Sequence, residues 1–221
     1  MNTNKLFLAL AIAGALISSN VASAVSGKVD TKFHSDAEYR GQAVAEDVLS
    51  AGVTLSKSLG SFETGVRLET LNALDSGAQL NFIDVSLSTD LIADKLSGAV
   101  GWLNTDSGTQ LDELYVSVTA KTLLSPTLTV YRDTSEELYN YVVGVSTGDI
   151  QVEGLPVTFV AGLDVGFVDR TATTDDTYVE AHVCAKKGLT DNADLYVGVE
   201  YDDSDLIDNE LGFVVGLSVS F

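Results

Sequence analysis

Apolar and polar residues alternate along almost the whole chain. In the C-terminal stretch Leu211, Phe213, Val215, Leu217, Val219 and Phe221 take the odd positions, while Gly212, Gly216, Ser218 and Ser220 take even ones, Val214 being the exception. A period of two puts these sets on opposite faces of a β-strand. The first such segment sets Val25, Val29, Phe33, Ala37 and Tyr39 against Ser26, Lys28, Asp30, Lys32, His34, Asp36, Glu38 and Arg40. Between these ends the pattern recurs through Leu49–Leu55, Phe62–Leu68, Ile83–Leu87, Leu96–Leu103, Leu114–Ala120, Tyr139–Val145, Val157–Phe167, Val179–Val183 and Leu195–Tyr201. Val100 and Trp102 are the apolar pair of the Leu96–Leu103 segment, and Thr127–Asp133 is extended with no assignable face. No segment keeps helical spacing for long enough to compete, so the pattern predicts about twelve strands, or about ten if the two weak segments fail.

Each strand therefore has one face that water rejects. After residue 24 no run approaches the about 18 apolar residues that a membrane helix needs. Strands can still cross a bilayer if they close into a barrel, because closure satisfies every backbone N–H and C=O without water. The expected fold is all-β: a transmembrane antiparallel up-and-down barrel occupying residues 25–221 as one domain. A soluble β-sandwich, with the apolar faces buried between two sheets, is the alternative. An even strand number puts both ends of the barrel on the periplasmic side. Short neutral or mixed connections, such as Leu59-Gly60-Ser61 and Thr190–Ala193, then fall on that side. Acidic ones fall on the other: Gly41–Asp47, Leu74–Gly77, Asn104–Asp112, Thr134–Glu137, Thr171–Asp176 and Asp202–Asn209. None of these is expected to be long enough to fold inward as a plug.

The two ends of the sequence agree with export. Lys5 is followed by an apolar run from Leu6 to Ile17 and by the small-x-small group Ala22-Ser23-Ala24. That is the build of a secretory leader cleaved between Ala24 and Val25, with residues 1–24 as the signal peptide. At the other end Gly216, Val219 and Phe221 resemble the C-terminal signal by which the barrel-assembly machinery of Gram-negative bacteria recognises its clients. The expected location is thus the outer membrane, reached through the periplasm, with outer-membrane lipid and lipopolysaccharide as partners.

Charge narrows the function. The formal net charge is −20, with 12 basic against 32 acidic residues. Phosphate backbones are repelled by such a chain, so nucleic acid is not a partner. The single cysteine, Cys184, cannot staple an exported fold. The polar face carries Lys28, Asp30, Lys32, Asp36, Glu38, Arg40, Glu63, Arg67, Glu69, Asp84, Glu113, Asp164, Glu180, Lys186 and Glu200. These are the candidate pore-lining residues. Carboxylate in excess along a narrow passage favours cations. Gly52, Gly65, Gly144, Gly162, Gly166, Gly198, Gly212 and Gly216 share the face and leave room inside. Small barrels can also fill with paired charges, which makes a non-conducting structural or surface-binding barrel the second reading.

Catalysis has little to work with. The histidines are His34 and His182, no Gly-x-Ser-x-Gly elbow is present, and no Ser-His-acid set assembles from strand positions. His182 and Cys184 share a face, but two ligands make a poor metal site. No catalytic residue, metal or cofactor is expected.

The octapeptide His34-Ser35-Asp36-Ala37-Glu38-Tyr39-Arg40-Gly41 resembles the opening signature of the TorF-type family of small porins, which typically reads Ser-Asp-Tyr-Arg-aromatic-Arg-Gly. Ser35, Asp36, Tyr39, Arg40 and Gly41 fit; Ala37 and Glu38 depart from it. The resemblance implies a small outer-membrane channel passing small hydrophilic solutes.

Overall fold

The computed structural model describes residues 25–40, 42–108, 110–135, 138–171, 174–206 and 209–221. The expected leader, Ala24 included, and Gly41 lie outside the described residues. The strands are β1 (Val25–Tyr39), β2 (Gln42–Leu59), β3 (Phe62–Ala73), β4 (Gln79–Ile92), β5 (Leu96–Asp106), β6 (Gln110–Ala120) and β7 (Thr127–Asp133). They continue as β8 (Tyr139–Ser146), β9 (Ile150–Gln151), β10 (Thr158–Thr171), β11 (Thr174–Thr190), β12 (Ala193–Ser204) and β13 (Glu210–Ser220).

Every pairing is antiparallel and, apart from β8 with β10 past the short β9, joins neighbours in sequence, until β13 pairs with β1 and closes the sheet on itself. β8 and the two-residue β9 lie along the same edge of β10 and form one interrupted stave. The result is a closed barrel of 12 staves, with no helix among the described residues. Both weak segments are full members of the wall. In β5 the register puts Val100 and Trp102 on the outer row. In β7 it puts Leu128 and Val130 outward and Thr129 and Tyr131 inward. The sequence hid β5 because Gly98 and Gly101 break its alternation, and β7 because it is only 7 residues long.

Directly paired residues share a face. The row holding Phe33, Leu49 and Val215 is continuous with Val197 and Phe213, which are 52% and 48% exposed. Large side chains this open, on every stave, form a belt that suits hydrocarbon and not water. Aromatic rings edge the belt on both sides. Phe33 packs on Phe213 at 5.8 Å, and Tyr139, Tyr141 and Phe167 form a chain with centroids 6.1 and 6.5 Å apart. Phe62, Phe159 and Phe221 sit near the opposite rim. Along β10 the outward ladder runs Phe159, Ala161, Leu163, Val165 and Phe167. At about 3.3 Å per residue and a tilt of about 40°, that ladder rises roughly 20 Å, close to the about 25 Å apolar band of outer-membrane barrels.

The staves run further than the alternation suggests. β2 has 18 residues and β11 has 17, against about 9–11 for a tilted crossing. On β11 the surplus lies beyond the belt as polar ribbon, which keeps its ladder hydrogen bonds in water; on β2 it leaves the wall. The acidic connections expected at Asn104–Asp112 and Thr171–Asp176 are therefore largely strand.

Several inward glycines do not open the lumen as expected. A Cβ on Gly101, Gly166 or Gly216 would meet the ring of Tyr115, Tyr178 or Tyr196, each on the adjoining stave. The missing side chain is a seat for a tyrosine laid across the wall, a packing that supports glycine in strands.

Candidate functional site

The lumen is marked by side chains that bond across staves which are not neighbours. Tyr115 on β6 donates to Asp84 on β4 (3.0 Å), and His34 Nδ1 on β1 lies 2.8 Å from Glu200 on β12. Such bonds fit only inside the barrel. The register extends this inner row to Lys28, Asp30, Lys32, Glu63, Arg67, Glu69, Asp164, Glu180 and Lys186. Asp36 and Glu38 face a cavity that they share with inner-row residues.

The first hairpin departs from the wall. β1 pairs with β13 only as far as His34, opposite Val214. Ser35 then accepts the Phe213 N–H (2.9 Å), which ends the seam. β2 pairs with β3 only from Val48 onward, after a last bond from Leu74 N–H to the Asp47 carbonyl (3.0 Å). Between those two contacts the arms of the ribbon pair only with each other, from Asp36 with Glu46 to Tyr39 with Gln42. Asp47 turns at φ 48° and Arg40 at φ 51°, both in the left-handed region that bends a chain sharply. A register shift between Ala37 and Glu38 adds a β-bulge, which twists the ribbon further.

Its tip lies inside the barrel. The Arg40 main-chain N–H donates to Glu180 on β11 (2.9 Å), so the backbone itself has left the wall. The Arg40 guanidinium crosses to β6, where one nitrogen donates to both Glu113 carboxylate oxygens (2.7 and 2.8 Å), and it stacks on Tyr131 of β7 at 4.2 Å. Arg40 and Glu113 are both buried. Tyr39 reaches Thr105 of β5 (3.4 Å) and packs edge-on against Phe82 of β4 at 5.0 Å. Below the ribbon lies an apolar seat of Ala37, Val48, Leu71, Ala73 and Leu80, with Tyr39, Val44, Ala45 and Phe82 against it. This corrects the expectation that no connection folds inward. Length was the wrong criterion: the ribbon enters because Leu71, Leu80 and Phe82 are apolar positions on the otherwise polar face, and burying them against the ribbon removes them from water.

The ribbon divides the interior. A cavity of about 420 Å³ lies on the side of the tip away from Val25 and Phe221, with Gln42, Ala43, Thr105 and Asn140 in its wall. A second of about 350 Å³ lies below it, lined by Lys32, Arg67, Asp84, Leu103 and Tyr131. Tyr39 and Arg40 line both. A third space of about 180 Å³ runs beside the ribbon, between His34, Asp36, Glu38, Asp164, Glu180, His182, Glu200 and Asp202.

Charges in the lumen are partly matched. Arg67 pairs with Glu69, Lys32 lies 3.9 Å from Asp30, and Lys186 pairs with Asp149 at 2.7 Å. Glu38 is the exception, because both its carboxylate oxygens are buried with no hydrogen-bond partner among the described residues. Acid remains in excess beside the ribbon. Sequence reasoning did not select Asp202, His34, His182 or the inner tyrosines as lining residues. For Asp202, His34, His182, Tyr115, Tyr178 and Tyr196 the alternation of their own strands carried that signal. Tyr39 was placed outward, and the bulge turns it in. His182 lies against Gly162 and Cys184 against Gly198. Among the described residues no group of three His, Cys, Asp or Glu side chains is arranged to hold a metal ion.

No family model matches the chain, and no curated protein does. Solved structures do. The KdgM porin, solved in complex with disordered oligogalacturonate, superposes with a TM-score of 0.60 at 15% identity, over 88% of this chain and 99% of that one. The fold is that of outer-membrane porins. The NanC porin gives 0.55 at 11% identity, over 86% and 98% of the two chains. An outer-membrane channel from Pseudomonas putida F1 gives 0.53 at 12%, over 92% and 97%. At these identities the porin likeness establishes architecture, and solute and selectivity must come from the residues of this lumen.

Proposed function

We propose that this porin-fold chain sits in the outer membrane and passes small hydrophilic solutes by passive diffusion, with preference for cations. The observation that carries the reading is a polar lumen with contiguous cavities whose wall, beside the ribbon, holds Asp36, Glu38, Asp164, Glu180, Glu200 and Asp202 against two histidines. Such a wall raises the local cation concentration. It also sets this lumen apart from the solute of the KdgM complex. Oligogalacturonate is a chain of carboxylates, and carboxylates here repel it. The apolar belt meets outer-membrane lipid, the acidic rim faces lipopolysaccharide, and Gly216, Val219 and Phe221 are the residues offered to the assembly machinery.

The test is swelling of proteoliposomes in solutes of matched size and opposite charge. A small amine salt is expected to enter faster than a small carboxylate. Substituting Asp164→Asn, Glu180→Gln and Asp202→Asn together is expected to remove most of that difference. Equal rates in the unmodified protein contradict the cation preference. A non-conducting barrel is the second reading, favoured by the ribbon and its apolar seat, and it predicts no swelling in any solute.

A further inference from the structure

Resting on the channel reading, we propose that the tip of the β1–β2 hairpin is the constriction that sets the aperture of this pore, and that Arg40 is the positioning residue that holds it there. Three observations converge. The ribbon 35–47 loses both lateral neighbours at the same level, β13 after His34 and β3 before Val48. Its tip bonds to two separate parts of the wall, four staves apart: Glu180 of β11 by the Arg40 main chain and Glu113 of β6 by the guanidinium. The same two residues, Tyr39 and Arg40, separate a cavity of about 420 Å³ from one of about 350 Å³.

The Arg40–Glu113 pair is the part of this strap that can be removed cleanly. The apolar seat fixes the base of the ribbon on the β2–β4 side. On the far side the tip is held by polar and ring contacts, at Glu113, Glu180, Thr105 and Tyr131. A buried ion pair is very costly to halve, because one charge is left without its partner, and much cheaper to replace whole by neutral residues of similar volume. The variant that loosens the tip is therefore the double substitution Arg40→Met with Glu113→Gln. It removes the guanidinium tether to β6 and leaves the Arg40 main-chain bond to Glu180, the staves and the seat in place.

The experiment is single-channel recording of the full barrel in planar bilayers, with neutral polyethylene glycols of graded size to report the aperture. The double variant is expected to show a higher unit conductance than the unmodified protein and to admit larger polymers. Loss of a purely structural contact lowers the number of channels that insert, not the conductance of each. A second variant covers the case in which the first does not fold. Ala43 lies on the ribbon, is exposed and lines the upper cavity, so Ala43→Cys in a Cys184→Ser background can be modified by a bulky thiosulfonate reagent while current is recorded. Loss of current on modification is expected. Unchanged conductance and polymer cut-off in the double variant, or unchanged current on modifying Ala43→Cys, overturns the strap. Silence of every protein, unmodified and variant, instead overturns the channel reading. A silent unmodified protein with a conducting double variant supports the strap as a closed constriction and overturns free diffusion through the unmodified barrel.

Discussion

At the scale of single residues, the lumen is decided by who has a partner. Glu38 carries two buried oxygens that accept no hydrogen bond among the described residues and faces Asp36, Glu180 and Asp202. An unpaired buried acceptor costs about 1–3 kcal/mol, and more when charged. Glu38→Met, which removes both acceptors at similar volume, is therefore expected to stabilise the barrel by about 1–2 kcal/mol, seen as a higher midpoint for loss of the fast-migrating folded band on heating in detergent. An unchanged or lower midpoint contradicts the burial of that carboxylate. Gly27 makes the opposite case. Its main chain exchanges hydrogen bonds with Phe221 at 2.8 and 2.9 Å, and a Cβ there would run into the Phe221 ring. Gly27→Val is expected to cost about 1–3 kcal/mol by overpacking and to lower the yield of folded barrel in the same gel assay. The inward-facing charges were largely legible from the alternation of each strand, on odd positions in β3 and β6 and on even positions in β1, β4, β10, β11 and β12. The place of Tyr39 was not, because a bulge between Ala37 and Glu38 resets the count just before it.

At the scale of elements, the period of two carried nearly everything. It placed the outward rows of β6, β8, β10, β12 and β13 correctly, since a one-residue slip would send every apolar group into the lumen. What it could not carry is a ribbon that leaves the wall while keeping the same alternation. The hint was Leu71, Leu80 and Phe82, apolar residues on the polar row of β3 and β4. In a β-strand such residues need cover, and the ribbon supplies it. The outward ladder of β10 is tested by Leu163→Arg, near its middle. A charge there is expected to cost about 2–4 kcal/mol, and the neighbouring inward Asp164→Asn far less. Similar losses at both positions, measured by reversible unfolding in lipid vesicles, contradict the assigned faces.

At the scale of the whole molecule, closure and charge together make the functional reading. The seam between β13 and β1 removes the last free edge, and a closed sheet can carry an apolar belt outside and ions inside. The fold class was visible in the sequence because that division must appear on every stave. The aperture was not, because it depends on contacts between Arg40, Glu113 and Glu180, residues far apart in the chain that only the closed barrel brings together. The most direct measurement is the reversal potential of the purified barrel in a planar bilayer under a gradient of potassium chloride. Discrete channel steps with a reversal potential that makes the dilute side positive, as potassium outruns chloride past the carboxylate wall, are the predicted result. A membrane that stays silent, or a dilute side that turns negative, contradicts the account.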